Sequence, residues 1–229
     1  ATLSANLAWR PATGTVIRAS YGEGFKAPTL YQLYGFYGDV TLKPETARSY
    51  DIGFEQSLLD GAFTFGATAF ARKTRNQIDF DLVAFRYNNI ALSRAKGFET
   101  FITLKPADNF SVSANYTYTD AEGRQVSALN YAPLLRRPKH SLSVSADWTA
   151  WEKAKLGATM RMVSDSRDGF GGFTRLDGFA LVDLRAAVPL GDRLEIYGRV
   201  ENLLDAQYQT VSGYSTYGRN AHIGVRASF

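Results

Sequence analysis

The feature that most restricts the fold of this chain is an alternation of apolar and polar residues that recurs along its length. The C-terminal segment AHIGVRASF places an apolar side chain at every second position, and residues 50–55, 111–118, 141–148 and 182–188 repeat the pattern. Period two is the geometry of a β-strand, whose successive side chains point to opposite faces of a sheet. About eleven such segments occur, so an all-β antiparallel fold is predicted.

The connections between these segments alternate between short and long. The short turns are RPATG, LLDG, KPADN, TAWEK and PLGDR, and the long loops lie around residues 24–46, 75–90, 120–136, 164–176 and 203–217. With all short turns at one rim, this is the arrangement of a transmembrane up-and-down β-barrel of an outer membrane. A soluble barrel or sandwich is the alternative, but it does not require this asymmetry.

Charged and aromatic residues favour the membrane barrel. Seven charged residues share the polar parity of their strands: Glu55, Glu99, Asp183, Arg185, Arg199, Glu201 and Arg226. A soluble core would exclude them, whereas a polar lumen accepts them. Aromatic residues beside the short turns or at the C-terminus predict an interfacial girdle of Trp9, Phe63, Phe110, Trp148, Trp151 and Phe229. The apolar face is therefore expected to contact outer-membrane lipid.

Composition excludes several other classes of protein. The chain has no cysteine, which removes disulfides and thiol chemistry, and its 26 basic and 22 acidic residues form no basic stripe that would suggest nucleic acid. Its uncharged stretches are far shorter than the roughly 18 apolar residues of a membrane helix. It opens with ATLSANLAWRP, which already alternates, so a piece of a larger protein is expected.

Longer motifs resemble the C-terminal half of TonB-dependent outer-membrane receptors. They are YGEGFKAPTLYQLYGFYGDVTLKPETARSYDIGFE at residues 21–55, AKGFE at 95–99, PLLRRPKH at 133–140, VENLLDAQY at 200–208 and GYSTYGR at 213–219. The terminal phenylalanine completes the set. Within that superfamily, QLYGFYG and PLLRR are similar to the cobalamin (vitamin B12) transporter branch.

This resemblance implies the architecture and the partners. Residues 1–229 would form a single unit, about the last eleven of twenty-two barrel strands, with the N-terminal plug and its TonB box outside this chain. The implied function is TonB-dependent active transport of cobalamin or a similar corrinoid across the bacterial outer membrane. The C-terminal strand resembles the signal that the barrel assembly machinery recognises. A ferric siderophore receptor is the near alternative, and an outer-membrane barrel enzyme or a passive pore is more remote; no enzyme activity and no cofactor are expected.

The resemblance also implies substrate-binding residues, which are Phe36, Arg136, Tyr214 and, in a less clearly aligned loop, Phe170. Arg136 is assigned the inward parity of His140, where a guanidinium could donate to amide or phosphate oxygens. The aromatic rings offer flat faces to a macrocycle. Loop packing by the aromatic residues, with Arg136 in a girdle, is the alternative.

Other polar motifs are interpreted as structural. Glu201, Asn202 and Asp205 of the ENLLD segment are expected to hold a turn, and the LKPE segment a junction between loop and strand. His140 and His222, both assigned to the inner face, make a weak ligand set, so no metal is predicted. Asp165 and Asp168, beside DGFGG, are expected at a flexible loop tip.

Overall fold

The computed structural model of the protein describes residues 1–81, 84–124, 130–169 and 172–228, and it is almost entirely β-structure. None of the described helices has the length and apolar composition to cross a membrane. In chain order, the elements are β1 Ser4–Trp9, β2 Thr15–Lys26, α1 Leu30–Tyr34, β3 Glu45–Leu58, β4 Phe63–Asp81, β5 Arg86–Ala107, β6 Phe110–Arg124, β7 Ala132–Pro133, β8 His140–Thr149, β9 Lys155–Val163, β10 Ser166–Asp168, β11 Thr174–Leu176, β12 Phe179–Leu190, β13 Leu194–Glu201 and β14 Asn220–Ala227, with 3₁₀ turns at Leu59–Gly61 and Trp151–Lys153.

The strands form one sheet in up-and-down order. Its path is β1-β2-β3-β4-β5-β6-β8-β9-β12-β13-β14, β7 adds a short pair to β6, and β10 and β11 form a separate hairpin. Every pairing between the described strands is antiparallel. The prediction of about eleven antiparallel strands in sequence order is therefore confirmed.

The five short turns all lie at one rim of the sheet, because they join β1 to β2, β3 to β4, β5 to β6, β8 to β9 and β12 to β13. The opposite rim carries the long connections and is called the loop rim below. The prediction of a long loop around residues 75–90 is wrong for most of that range, because β4 continues to Asp81 and β5 begins at Arg86. At 19 and 22 residues, these strands far exceed the roughly 9–11 that a bilayer requires, so their hairpin extends past the other strands.

The sheet keeps one apolar and one polar face, as predicted. Tyr50, Ile52 and Phe54 of β3 lie on the apolar face and are exposed there. On the polar face, Arg18 donates to Glu55 at 3.2 Å and Ser20 donates to Asp51 at 2.7 Å. Cross-strand partners occupy the same face, so the alternation is maintained from strand to strand.

Close approach on the polar face depends on a glycine. Arg185 of β12 donates to Asp147 of β8 across the intervening strand β9. Its side chain lies directly over Gly157, where a Cβ atom would come within 2.4 Å of Arg185 Nε. The missing side chain at this position is what lets the ion pair span three strands.

The apolar face carries an aromatic girdle near each rim. At the short-turn rim, Trp148 and Trp151 pack edge to face with ring centroids 5.9 Å apart, and Trp9 is exposed at the same level of the sheet, as predicted. The terminal Phe229 lies outside the described residues. A second girdle, which was not predicted, lies toward the loop rim and contains Tyr21, Tyr50, Phe98, Tyr116, Tyr118 and His140.

The assignment of His140 to the inner face is wrong. His140 pairs across the sheet with Tyr118, its ring lies 5.2 Å from the Tyr118 ring, and its Nδ1 is 2.7 Å from the Tyr116 hydroxyl. From His140 to Trp148 the strand spans roughly 27 Å, or about 20 Å along a barrel axis at the usual tilt. This spacing of the two girdles suits an apolar band of about 25 Å.

An arginine placed on the apolar face should destabilise the protein far more than one placed on the polar face of the same strand. Val225 is exposed on the apolar face of β14, and His222 occupies the polar face. In the full-length protein, V225R is expected to cost about 2–4 kcal/mol of folding free energy in lipid vesicles, and H222R much less. Urea titration of vesicle-inserted protein measures both, and equal losses would contradict the assignment of the faces.

Candidate functional site at the loop rim

The first long loop is held in a fixed shape by local hydrogen bonds. Thr29 and Gln32 form a capping box at the start of α1, in which the Thr29 hydroxyl accepts from the Gln32 backbone N–H and the Gln32 side chain accepts from the Thr29 backbone N–H. Farther along, the Tyr87 N–H of β5 donates to the Tyr37 carbonyl at 2.9 Å. The loop is therefore attached to the extended β4–β5 hairpin.

Phe36 lies at the outer end of an aromatic cluster formed by this loop and the hairpin. Its ring packs against Tyr37 at 4.8 Å, Tyr37 packs against Phe80 at 5.4 Å, and Phe80 packs against Tyr87 at 5.5 Å. Phe36 itself is 91% exposed. The rings of Tyr37, Phe80 and Tyr87 are thus packed against one another, whereas Phe36 presents its ring to solvent.

The LKPE segment forms a junction between loop and strand, as predicted. Leu42 is buried, and β3 begins at Glu45, directly after Pro44. Asn89 accepts a hydrogen bond from the Lys43 N–H at 2.8 Å and donates to the Lys43 carbonyl at 2.9 Å. These contacts are all internal to the protein, which supports the structural interpretation of the motif.

Three further loops converge on the carboxylate of Asp168, which is only 1% exposed. Its Oδ1 accepts from Arg136 Nε at 2.8 Å, and its Oδ2 accepts from the Ser212 backbone N–H at 2.7 Å. Arg136 follows β7, Asp168 ends β10, and Ser212 lies in the connection between β13 and β14. We call these three residues the Asp168 junction. The expectation that Asp168 lies at a flexible loop tip is therefore wrong.

The junction keeps Asp168 ionised. Hydrogen bonds from the Ser212 N–H, the Arg136 guanidinium and the Gly169 N–H lower the pKa of the Asp168 carboxyl to about 2. Each of these donors favours the charged form of the carboxyl group. The loops are thus joined by a carboxylate that stays negative throughout the physiological range.

Arg136 lies in a turn, so the alternation of a β-strand does not decide which way its side chain points. It has a left-handed backbone, with φ 56°, and its N–H donates to the Arg167 carbonyl at 2.8 Å. The parity assigned through His140 is therefore wrong, because a turn separates Arg136 from β8. The Arg136 side chain remains 51% exposed. Its Nε holds the junction, while the outer part of the guanidinium still faces solvent.

Two more arginines adjoin the junction. Arg137 follows Arg136, Arg167 precedes Asp168, and both are exposed. Within the described part of the chain, neither has a carboxylate at ion-pair distance. Among the described residues, Arg137 and Arg167 are therefore cations without a carboxylate partner beside the Arg136–Asp168 pair, and the Arg175 cation of the same hairpin is offset by Asp165 and Asp177. Arg167 was not among the predicted site residues, although the sequence places it directly before Asp168.

The predicted site residues separate into two groups. Tyr214 is 72% exposed and follows Ser212 closely, so it belongs to the loop that joins Arg136 at Asp168. Phe36 belongs to the aromatic cluster of the first loop. Phe170 lies outside the described residues. The structure thus brings the loops of Arg136 and Tyr214 together, and Phe36 contacts Tyr37 instead.

The ENLLD segment is structural, as predicted. Asn202 is 4% exposed; its side chain accepts from the Ala206 N–H at 2.9 Å and donates to the Ala206 carbonyl at 3.0 Å. Asp205 accepts from the Arg219 N–H at 2.8 Å, which ties the two ends of the loop together.

Among the described residues, no group of three or more His, Cys, Asp and Glu side chains could hold a metal ion.

An up-and-down antiparallel sheet with one apolar and one polar face, and with its long loops joined at one rim, defines a wall of an outer-membrane-type barrel. Residues 1–203 match the family described as TonB dependent receptor-like, beta-barrel, and the chain therefore belongs to that family.

Solved structures share this fold over the whole chain. The ferric-catecholate import receptor Fiu of E. coli K12 matches with a TM-score of 0.80 and 18% identity, over 99% of this chain and 34% of that one. The ferric enterobactin receptor PfeA of Pseudomonas aeruginosa gives 0.79 and 21% over 100% and 40%, and the iron transporter FrpB of Neisseria meningitidis gives 0.81 and 17% over 100% and 39%. This chain therefore spans well under half the length of these receptors. None of the three supports the cobalamin branch.

Removing the central carboxylate should free the loops without unfolding the barrel. D168A deletes the acceptor for both Arg136 and Ser212, so limited proteolysis should cleave the loops around residues 134–139 and 203–219 at least about tenfold faster. D165A is the matched control, because Asp165 is exposed and its carboxylate, among the described residues, pairs with Arg175 alone, at 3.4 Å. Equal cleavage of the two variants would contradict the role of the junction.

The junction should also respond to acid in one direction. Because the pKa of Asp168 is lower in the folded protein than its ordinary value of 3.8, the stabilisation is complete above that value and is lost as pH falls through about 2. Hydrogen exchange in the 203–219 loop should therefore stay constant from about pH 7 to about pH 4, once corrected for its intrinsic rate, and accelerate below that range. In D168N this acid-induced acceleration should be absent.

Proposed function

We propose that this protein is part of an outer-membrane receptor that binds an anionic iron chelate of the siderophore class at its loop rim. The observation that carries the proposal is the position of Arg137 and Arg167, which have no carboxylate partner among the described residues, next to the Arg136–Asp168 pair. Such a surface attracts a ligand that bears several negative charges, as ferric catecholates do. Cyanocobalamin is neutral overall and gains little from this charge.

Exposed aromatic rings near these arginines add apolar contact area. Tyr214, Tyr217 and Phe173 are 72%, 88% and 89% exposed, and they lie in the loops that the Asp168 junction joins or in the hairpin beside it. Flat rings next to cations suit a chelate built from aromatic rings and charged oxygens. The three similar receptors, by their names, act on iron or its chelates.

The remaining parts of the function follow from the family. We infer that residues 1–229 form the C-terminal part of the barrel, that the protein lies in the bacterial outer membrane, and that transport depends on TonB through a plug outside this chain. The C-terminal strand would be recognised by the barrel assembly machinery. Phe36, Arg136, Tyr214 and Phe170 remain the proposed ligand contacts, to which Arg137 and Arg167 are now added. The family and its structural neighbours are receptors and transporters, not enzymes.

The test is equilibrium binding of a ferric catecholate and of cyanocobalamin to the full-length receptor. Ferric catecholate should bind at micromolar concentration or tighter. R167Q should weaken it about ten- to a hundredfold, since a hydrogen bond from a charged donor contributes about 1.5–3 kcal/mol. R175Q is the control, because Arg175 lies in the same hairpin but faces Asp165 and Asp177.

Three outcomes would overturn parts of this proposal. Binding of cyanocobalamin but not of the ferric chelate would restore the cobalamin interpretation. Equal effects of R167Q and R175Q would place the ligand elsewhere. If R136A lowered the amount of folded protein and left the affinity of the folded fraction unchanged, Arg136 would be a structural residue only.

A further inference from the structure

A row of charged residues crosses five strands on the apolar-face side of the sheet. Glu23 of β2 pairs with Arg48 of β3, Arg48 with Lys73 of β4, Lys73 with Arg94 of β5, and Arg94 with Glu122 of β6. Directly opposite residues share a face, and Arg48 has the parity of Tyr50 and Ile52. These charges therefore lie outside the wall, on the face away from the lumen.

The two ends of the row are neutralised, but its centre is not. Arg48 contacts Glu23 at 3.1 Å and Arg94 contacts Glu122 at 2.7 Å. Lys73 lies between these pairs, with Arg75 and Lys96 beside it on the same face, and all three are exposed. Among the described residues, none of these three has a carboxylate within ion-pair distance. Asp120 lies opposite Lys96 on the same face, but its carboxylate is paired with Lys139 at 2.8 Å. We call Lys73, Arg75 and Lys96 the outer cation triad.

The triad lies directly beyond the girdle nearest the loop rim. Lys96 is two positions from Phe98 of that girdle, and it pairs with Ala71, which in turn pairs with Tyr50. Tyrosine rings of this kind mark the boundary between lipid headgroups and hydrocarbon. The triad is thus at the height of headgroups, and the apolar side chains continue below it.

A hollow gives this surface a shape that could hold a ligand group. It has a volume of about 600 Å³ and is lined by Lys73 and Arg75 of the triad, by Tyr50, and by the ion pair of Arg48 with Glu23; Lys96 lies outside it. Cations meet an aromatic ring there, on the side toward the apolar band. This is the arrangement expected for an amphiphile whose anionic head lies above its hydrocarbon chains.

We propose that the outer cation triad binds the phosphate groups of a phosphorylated lipid in the outer leaflet. The ammonium groups of Lys73 and Lys96 and the guanidinium of Arg75 donate to phosphate oxygens, and the acyl chains lie along the apolar face past Phe98 and Ile52. This inference uses the outer-membrane location of the proposed function but not its ligand. The triad lies on the opposite face of the wall from the lumen, so it takes no part in binding the chelate.

The test measures binding of a phosphorylated lipid to full-length receptor in detergent. The probe is lipid A with both phosphates, compared with the same lipid after removal of the phosphates, by native mass spectrometry titration. K73Q/R75Q/K96Q should weaken binding of the phosphorylated lipid about a hundredfold, at about fivefold for each cation. R72Q is the matched control, because Arg72 is an exposed cation beside Lys73 but lies on the polar face. The affinity of R72Q for the phosphorylated lipid should be unchanged.

Several results would overturn the proposal. These are equal binding of the two lipids, equal losses in the triple variant and R72Q, or no loss in the triple variant. Competition by inorganic pyrophosphate as strong as by lipid A would assign the triad to a free anion. If the triple variant fails to insert, K96Q alone should still lose about fivefold, and no loss would contradict the proposal. Affinity for the ferric catecholate should stay constant throughout, which separates this test from that of the proposed function.

Discussion

The hydrogen-bonded ladder between consecutive antiparallel strands is the interaction on which the rest of this structure depends. In hydrocarbon, an unpaired backbone N–H or C=O group costs several kcal/mol. Strands that form a wall in a membrane must therefore pair these groups with neighbouring strands along their whole length. The same ladder fixes cross-strand register, as between Tyr50 and Tyr21 or Asp51 and Ser20. Register then decides the face of each side chain. The apolar band, the ion pairs of the polar face and the outer cation triad are all consequences of this single pairing scheme.

The loop rim is organised differently, because no ladder controls it. A few polar contacts hold the loops together there. The most important is the carboxylate of Asp168, which joins Arg136 and Ser212 from loops far apart in the chain. A buried carboxylate with three donors positions its neighbours closely while leaving other surfaces free. Arg136 illustrates this, since one of its nitrogens is committed to the junction and its side chain is still half-exposed. Loops held in this way can present cations and rings to a ligand.

Sequence periodicity predicted the barrel wall but not the loop rim, for a physical reason. Alternation in residues 50–55 maps directly onto the two faces, since a strand has no other way to place its side chains. Arg136 was misassigned because its left-handed backbone interrupts the alternation before β8. Asp168 was misjudged because its donors lie 32 and 44 residues away in sequence, and no local pattern records such contacts. His140 was assigned to the wrong face, because it lies on the apolar face together with Leu142 of the same strand.

The contact of one face of this sheet with lipid, and the exclusion of lipid from the other face, can be tested directly. The chain contains no cysteine, so single cysteines can be placed along β5 of the full-length receptor and given a fluorescent label in vesicles. Quenching by brominated lipid should be strong at Phe98, Ile102 and Leu104 and weak at Glu99, Phe101 and Thr103. Uniform quenching along the strand, or quenching with the opposite phase, would contradict the claim.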